Sequence, residues 1–184
     1  MILFATSNEF KFNEVREFMN RHGIEVRWEK RTYEEIQGED TRTISLDSCK
    51  KLSVEIGKEF FLEDTGIYID SLGGFPGPYS SYVQSSIGNH GILKLMENKA
   101  REARFITVIS YYDGFGIYQF TGEARGRISE NIREGRKFGY DPIFIPAGLD
   151  KAMSEIGLEE KNKVSSRGHA LEEFLKFLQA KGHR

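Results

Sequence analysis

Two long alternating stretches, Ala103 to Tyr112 and Ile117 to Ile128, flank Asp113-Gly114-Phe115-Gly116 and constrain this chain more than any other feature. Both arms are rich in β-branched and aromatic residues, and the glycines between them suit a tight reversal. The pattern therefore predicts one antiparallel hairpin with unusually long arms. The remainder alternates strands with helices. Met1 to Ala5 reads as a short buried strand, and Asn8 to His22 as a helix with Phe12, Val15, Phe18 and Met19 at helical spacing before Gly23. Ile24 to Trp28 is a second strand, Lys30 to Asp40 an acid-rich loop, and Thr43 the expected N-cap of a helix through Ile56 that Gly57 ends. A strand over Glu59 to Glu63 follows, then a half-exposed strand over Ile67 to Asp70. Leu72 to Tyr79 packs three glycines and two prolines into a shaped loop. Tyr79 to Ile87 and Ile92 to Asn98 read as short helices broken around Gly88 and Gly91, and Asp141 to Pro146 as a short edge strand. The last helix, from about Gly168 to Lys181, carries a broad apolar face. No repeat or linker interrupts this order, so one α/β domain over residues 1–184 is expected.

With 184 residues and 39% hydrophobic composition the chain can bury a full core, with room for two lobes around a cleft. A net charge of -2 and a pI near 6.1 leave no basic footprint, which argues against nucleic acid as a partner and makes any anion site local. The single cysteine, Cys49, excludes an internal disulfide and fits a reducing compartment, so the cytoplasm is expected. No apolar run approaches the roughly 20 residues that span a bilayer, and Met1 leads directly into Ile2-Leu3-Phe4, so neither export nor a membrane anchor is expected.

Four segments carry chemistry. In Phe60-Phe61-Leu62-Glu63-Asp64-Thr65-Gly66 an apolar run meets two acids, a hydroxyl and a glycine, the pattern of a strand that delivers carboxylates to a ligand and then turns away. A divalent cation carrying phosphates suits such a pair, because Mg2+ takes one or two carboxylates beside phosphate and water. The loop acids Glu34, Glu35, Glu39 and Asp40 could converge on the same tip, although most read as a solvated turn. In Thr6-Ser7-Asn8-Glu9-Phe10-Lys11 a strand feeds a helix whose N-terminus and lysine suit an anion, while Asn8 also suits a plain cap. The Walker pattern is absent. Lys137 to Pro142 and Glu160 to Arg167 combine aromatics, Asp, Lys and Arg able to stack on a base and bond its edge, or else to fill the core and cap the last helix. His22, His90, His169 and His183 are scattered and support neither zinc nor a Ser-His-Asp triad.

In order and spacing, Ala5-Thr6-Ser7-Asn8 with Lys11, Glu63 to Gly66, Leu72 to Gly77, Phe138 to Pro142 and Lys161 to Arg167 resemble the inosine triphosphate pyrophosphatase family nearly end to end. The resemblance implies an elongated α/β fold: two lobes around a long twisted mixed β-sheet with flanking helices and a central cleft. It also implies a homodimer, dependence on Mg2+, and hydrolysis of noncanonical purine nucleoside triphosphates (ITP, dITP, XTP) to the monophosphate and pyrophosphate. By position it assigns Thr6, Ser7, Asn8, Glu9, Phe10 and Lys11 to the triphosphate, Glu35 and Asp64 to the metal, and Thr65 to the substrate. Asp64 is also the implied base, with Lys11 offsetting charge. Phe138, Gly139, Tyr140, Asp141, Lys161, Ser166 and Arg167 fall to the base and sugar pocket. Where many members read Ser-His-Arg, this chain reads Ser165-Ser166-Arg167. Donors from Lys161 or Arg167 would match the oxygen at purine position 6 and be left unpaired by adenine, a penalty of roughly 1 to 3 kcal/mol per group. The alternatives are a Maf-like pyrophosphatase acting on pyrimidine or modified nucleotides, a nucleotide-binding module without turnover, and a small RNA-binding protein.

Overall fold

The computed structural model describes residues 1–33 and 35–182. Glu34, among the loop acids, and His183, among the histidines, lie outside the described residues. β1 (Ile2–Thr6) leads into α1 (Glu9–Arg21), where Asn8 Oδ1 accepts from the amides of Phe10 at 3.0 Å and Lys11 at 3.2 Å. β2 (Val26–Lys30) pairs parallel with β1. α2 (Thr41–Ile56) starts two residues before the expected cap, because the Asp40 carboxylate accepts from both the amide and the hydroxyl of Thr43, each at 2.8 Å. β3 (Phe60–Ile69) and the two-residue β4 (Pro76–Gly77) follow. Two short helices come next, α3 (Ser80–Ser86) and α4 (Gly88–Leu95). The long hairpin is β5 (Glu102–Tyr112) and β6 (Ile117–Ile128), within one residue of the sequence expectation.

A 3-10 turn over Asp141–Ile143, started by Pro142 in its first positions, delivers the edge strand β7 (Phe144–Pro146), which is shorter than expected. α5 (Leu158–Val164) and α6 (Ser166–Ala180) close the chain. α5 has no apolar period to betray it; it turns Lys161 and Asn162 inward instead.

The strands form one mixed sheet in the order β2-β1-β3-β5-β6-β7, parallel among the first three and antiparallel beyond, with β4 added to β3. Among the described residues three hydrophobic clusters pack on it, two of them along its length. Phe4, Phe61, Ile109 and Tyr111 pack with α1 and α6 in one; Ile67, Ile69, Phe105 and Phe144 pack with α3 and α4 in the other. β3 and β5 run through both, so their middle residues, Glu63 to Gly66 and Ile106 to Val108, cross a waist between lobes. β3 is therefore one strand of ten residues, not a strand that stops at its acids with a second one after it. Gly66 does not turn the chain: its missing side chain lets the Gly77 carbonyl come within 2.6 Å of where a Cβ would stand. Gly122 of β6 does the same for α6, since a Cβ there would meet the Ser166 carbonyl at 2.1 Å. Among the described residues no helix is long and apolar enough to cross a membrane.

On the α2 side of the sheet Cys49 packs against Leu3, Ala5, Leu52, Phe60 and Leu62. It is wholly buried, and burial, with the Asp64 charge behind it, pushes its thiol up to about 12. The native protein should therefore resist a thiol reagent such as DTNB at pH 8 and react stoichiometrically once unfolded; rapid native labelling would mean that α2 lifts off the sheet.

Candidate active site

The cleft follows from strand pairing. β1 pairs with β3 only at Phe60 and Phe61, and β4 takes up the same edge at Ile67 and Tyr68. Between them the edge of β3 from Leu62 to Gly66 opens into a cavity of about 580 Å³, within the usual range of small-ligand sites, roughly 300 to 1,000 Å³. Thr6, Ser7, Asn8, Phe10 and Lys11 enter from the β1–α1 junction, Glu35 from the loop before α2, and Asp64 and Thr65 from β3. Phe138, Gly139, Tyr140 and Asp141 come from the loop before β7, and Lys161, Ser166 and Arg167 from α5 and α6. Glu9 is the exception: it is exposed at the start of α1 and does not line the cavity.

Successive strand side chains alternate faces, so the two adjacent acids part company. Glu63 points toward α1 and α6. Its carboxylate takes Arg167 Nε and Nη2, each at 3.1 Å, and Lys11 Nζ at 2.9 Å, and the same Nζ reaches the Glu63 carbonyl at 3.4 Å. Burial raises its pKa, but Arg167 and Lys11 outweigh that and bring it down to about 2. Asp64 points toward α2, with one carboxylate oxygen buried and lacking a hydrogen-bond partner. Burial pushes its pKa up to about 7, Lys11 opposes the rise, and Glu35 and Glu63 add to it. The phenol of Tyr33 is pushed up by burial and by the same carboxylates, Asp64 and Glu35. An orphaned carboxylate oxygen beside a second acid fits a divalent cation that completes its shell from phosphate and water. Glu39 is exposed and Asp40 is committed to capping α2, so of the described loop acids only Glu35 joins Asp64 in the cavity.

Glu14, on the second turn of α1, is 7% exposed and organises the opposite wall. It accepts from Lys161 Nζ at 2.6 Å and from Arg167 Nη1; Lys161 Nζ also reaches Asp141 at 2.6 Å. Burial raises the Glu14 pKa, and Arg167 and Lys161 more than reverse it. Burial dominates at Asp141, whose pKa stays raised although Lys161 pulls it down. Lys161 and Arg167 are thus largely committed to protein carboxylates, and beyond those bonds one hydrogen remains on Lys161 Nζ and two on the guanidinium. Both cations also face the Phe138 ring, at 5.1 and 5.7 Å from its centroid, and the exposed Phe10 tilts against that ring at 5.4 Å.

Tyr140 is mostly core, its hydroxyl donating to the Ser80 carbonyl at 2.7 Å. The Gly139 carbonyl accepts from Gln84 Nε2 at 3.1 Å and Asn89 Nδ2 at 3.0 Å, so the helices of the second lobe hold the aromatic loop. Sequence reasoning missed Glu14, Thr107, Gln84 and Asn89. Glu14 did leave a signal, an acid four residues before the buried Phe18 on the inward stripe of its helix. Ser165, not Ser166, caps α6, accepting from the Gly168 amide at 3.0 Å. His22 and His169 bond backbone carbonyls away from this site.

A family model described as the Ham1 family matches residues 2–177. The dITP/XTP pyrophosphatase of Methanopyrus kandleri is 46% identical over 175 residues, spanning 94% of this chain and 93% of that one. That of Pyrococcus horikoshii is 46% identical over 178 residues, 96% of each. Among solved structures, a HAM1 protein from Coxiella burnetii has a TM-score of 0.83 at 24% identity, covering 98% of this chain and 100% of that one, and so shares the fold.

Two stability changes of opposite sign are expected. Glu14→Gln leaves Lys161 and Arg167 short of a buried counter-charge and should destabilise by about 3 to 5 kcal/mol in urea unfolding; a loss under 1 kcal/mol would mean the network is not closed by Glu14. Asp64 behaves oppositely. Its folded pKa of about 7 lies above its ordinary 3.8, so the folded state is penalised as pH rises through that interval and stays penalised above it. Asp64→Asn should raise the Tm of the metal-free protein at pH 8 by several degrees, with the gain vanishing below about pH 4.

Proposed function

The chain belongs to the Ham1 family, and we propose that it hydrolyses noncanonical purine nucleoside triphosphates, ITP, dITP and XTP, to the monophosphate and pyrophosphate, cleansing the nucleotide pool. One observation carries the reading: Asp64, Lys11 and Phe138, from three distant stretches of chain, line one cavity of nucleotide size. The names of the relatives supply the substrate class.

In this reading Asp64 and Glu35 hold Mg2+, which when bound supplies positive charge to the phosphates. Lys11, only partly neutralised by Glu63, offsets charge that develops on the phosphate chain as water attacks the α-phosphorus. Asp64 is also the assigned base. Thr6, Ser7, Asn8 and Phe10 flank the triphosphate; Phe138 and Phe10 offer ring faces to the purine, with Lys161, Arg167, Asp141, Gly139 and Tyr140 behind them. Thr65 and Ser166 are assigned to the substrate as well. The enzyme is read as a cytoplasmic homodimer, with the exposed Phe75, Tyr79 and Tyr82 supporting an interface and the buried free thiol of Cys49 suiting a reducing compartment.

Pyrophosphate release from ITP, XTP, ATP and GTP, with Mg2+ or with EDTA, tests the proposal. ITP and XTP should be turned over with kcat/KM at least about tenfold above ATP and GTP, EDTA should abolish it, and Asp64→Asn should fold yet lose nearly all activity. Equal rates on all four nucleotides, or near-native turnover by Asp64→Asn, would refute it.

A further inference from the structure

Three hydroxyls cross the floor of the cleft in a row. Thr65 of β3 and Thr107 of β5 stand opposite each other in the antiparallel register, and their side-chain oxygens lie 2.8 Å apart. Thr107 Oγ1 lies 2.8 Å from Ser166 Oγ at the start of α6. The row ends at Glu63, whose Oε2 is 3.2 Å from Thr65 Oγ1. Thr107 and Ser166 are 0% and 3% exposed, and all three hydroxyl residues line the cavity.

The row has a direction. Glu63 is ion-paired with Lys11 and Arg167, so it is a carboxylate and can only accept. Thr65 must turn its one hydrogen toward Glu63, since otherwise lone pairs would face each other there. The Thr65 oxygen then accepts from Thr107, and the Thr107 oxygen accepts from Ser166. Either oxygen could donate at each of the two inner contacts, and it is the Glu63 end that selects the arrangement in which every hydrogen points toward Glu63 and Ser166 Oγ offers lone pairs alone. We propose that Ser166 Oγ is a specificity-determining acceptor for the ring N–H of a 6-oxopurine, and that Thr107 is the positioning residue that keeps it an acceptor.

The proposal rests on reading the cleft as a purine nucleotide site. Ser166 and the Phe138 ring line the same cavity, and the proposal takes the acceptor to face the base held there. Hypoxanthine, xanthine and guanine all carry N–H at ring position 1, so the row sorts them from adenine alone, which carries a lone pair there and would meet another. Discrimination would then come from repulsion at Ser166, beyond any donor left on Lys161 or Arg167.

Calorimetric titration with α,β-imido analogues of ITP, ATP and 1-methyl-ITP reads the preference without requiring turnover. Unaltered protein should bind the ITP analogue roughly tenfold or more tightly than either other analogue. Thr107→Val keeps the shape but frees the Ser166 hydrogen to donate, and should cut the preference over ATP about fivefold; Thr107→Ser should restore it. Ser166→Ala, which leaves the rest of the row intact, should also cut it, and thermal unfolding checks that each variant folds. The proposal falls if the unaltered protein shows no preference, if the ratio is unchanged in Thr107→Val, or if Thr107→Val weakens all analogues equally. It also falls if the 1-methyl analogue binds as well as ITP while a 3′-deoxy analogue does not, since the acceptor would then serve the sugar. Absence of any nucleotide binding would sink the reading of the cleft itself, whereas bound nucleotide with an unmoved ratio sinks only the hydroxyl row.

Discussion

Glu63 and Glu14 are carboxylates held almost entirely away from water, and an ionised acid in such a place is tolerable only if cations come to it. Lys11, Lys161 and Arg167 do so, arriving from α1, α5 and the first turn of α6. Those contacts join the two ends of the chain: Lys161 and Arg167 lie 147 and 153 residues beyond Glu14. α5 turns Lys161 inward, and α6 can deliver Arg167 because Gly122 lets its first turn settle directly on β6. Removing one charge leaves the others without partners, so the wall of the cleft is set cooperatively.

The same residues explain why β3 survives a polar interruption. Glu-Asp-Thr-Gly has poor strand propensity, yet the segment stays extended because β5 pairs with it throughout and because each side chain finds a reason to be where its face points. Alternation sends Glu63 to the cations and Thr65 to the hydroxyl row, while Asp64 goes to the other face, where one of its oxygens keeps no partner. A structural acid and a chemically available one sit side by side, separated in environment by the pleat. Their pKa values move in opposite directions, as expected when burial acts on both and only one is matched by close cations.

Local pattern made the long hairpin legible because ten or more alternating residues on each side of a glycine turn leave few other options. α1 was equally plain, with Asn8 and Gly23 marking its ends. β3 reads as two pieces in the sequence because local polarity looks like a turn when the pairing partner is invisible. α5 carried no period at all, since its inward residues are a lysine and an asparagine. In the site, the convergence of Thr6 to Lys11, Glu9 excepted, with Asp64 and with Phe138 to Asp141 is what the family resemblance implies, but the partners of Lys161 and Arg167 are not legible in it. Which carboxylate a cation meets is decided by helix packing over more than a hundred residues of separation, and no spacing rule reports that.

Lys11, Lys161 and Arg167 are matched by Glu14, Glu63 and Asp141, so the inner wall offers little net charge to a polyanion. Asp64 and Glu35 lie outside that balance, and Glu35, which is exposed, makes the mouth of the site acidic. A triphosphate would be repelled by such a mouth, and Lys137 is the further cation lining it. On the proposed reading a divalent ion reverses this: two carboxylates that repel phosphate become the ligands that bind it through the metal, and the penalty burial imposes on Asp64 is relieved in the same step. The inner network, with Lys161 and Arg167 largely paired, is free to sort bases by hydrogen-bond direction, while Lys11, which shares Glu63 with Arg167, keeps charge for the phosphates. Binding the charged end of a nucleotide and choosing its base are then separate tasks, carried by the two acids on one side of β3 and by the polarised hydroxyls on the other.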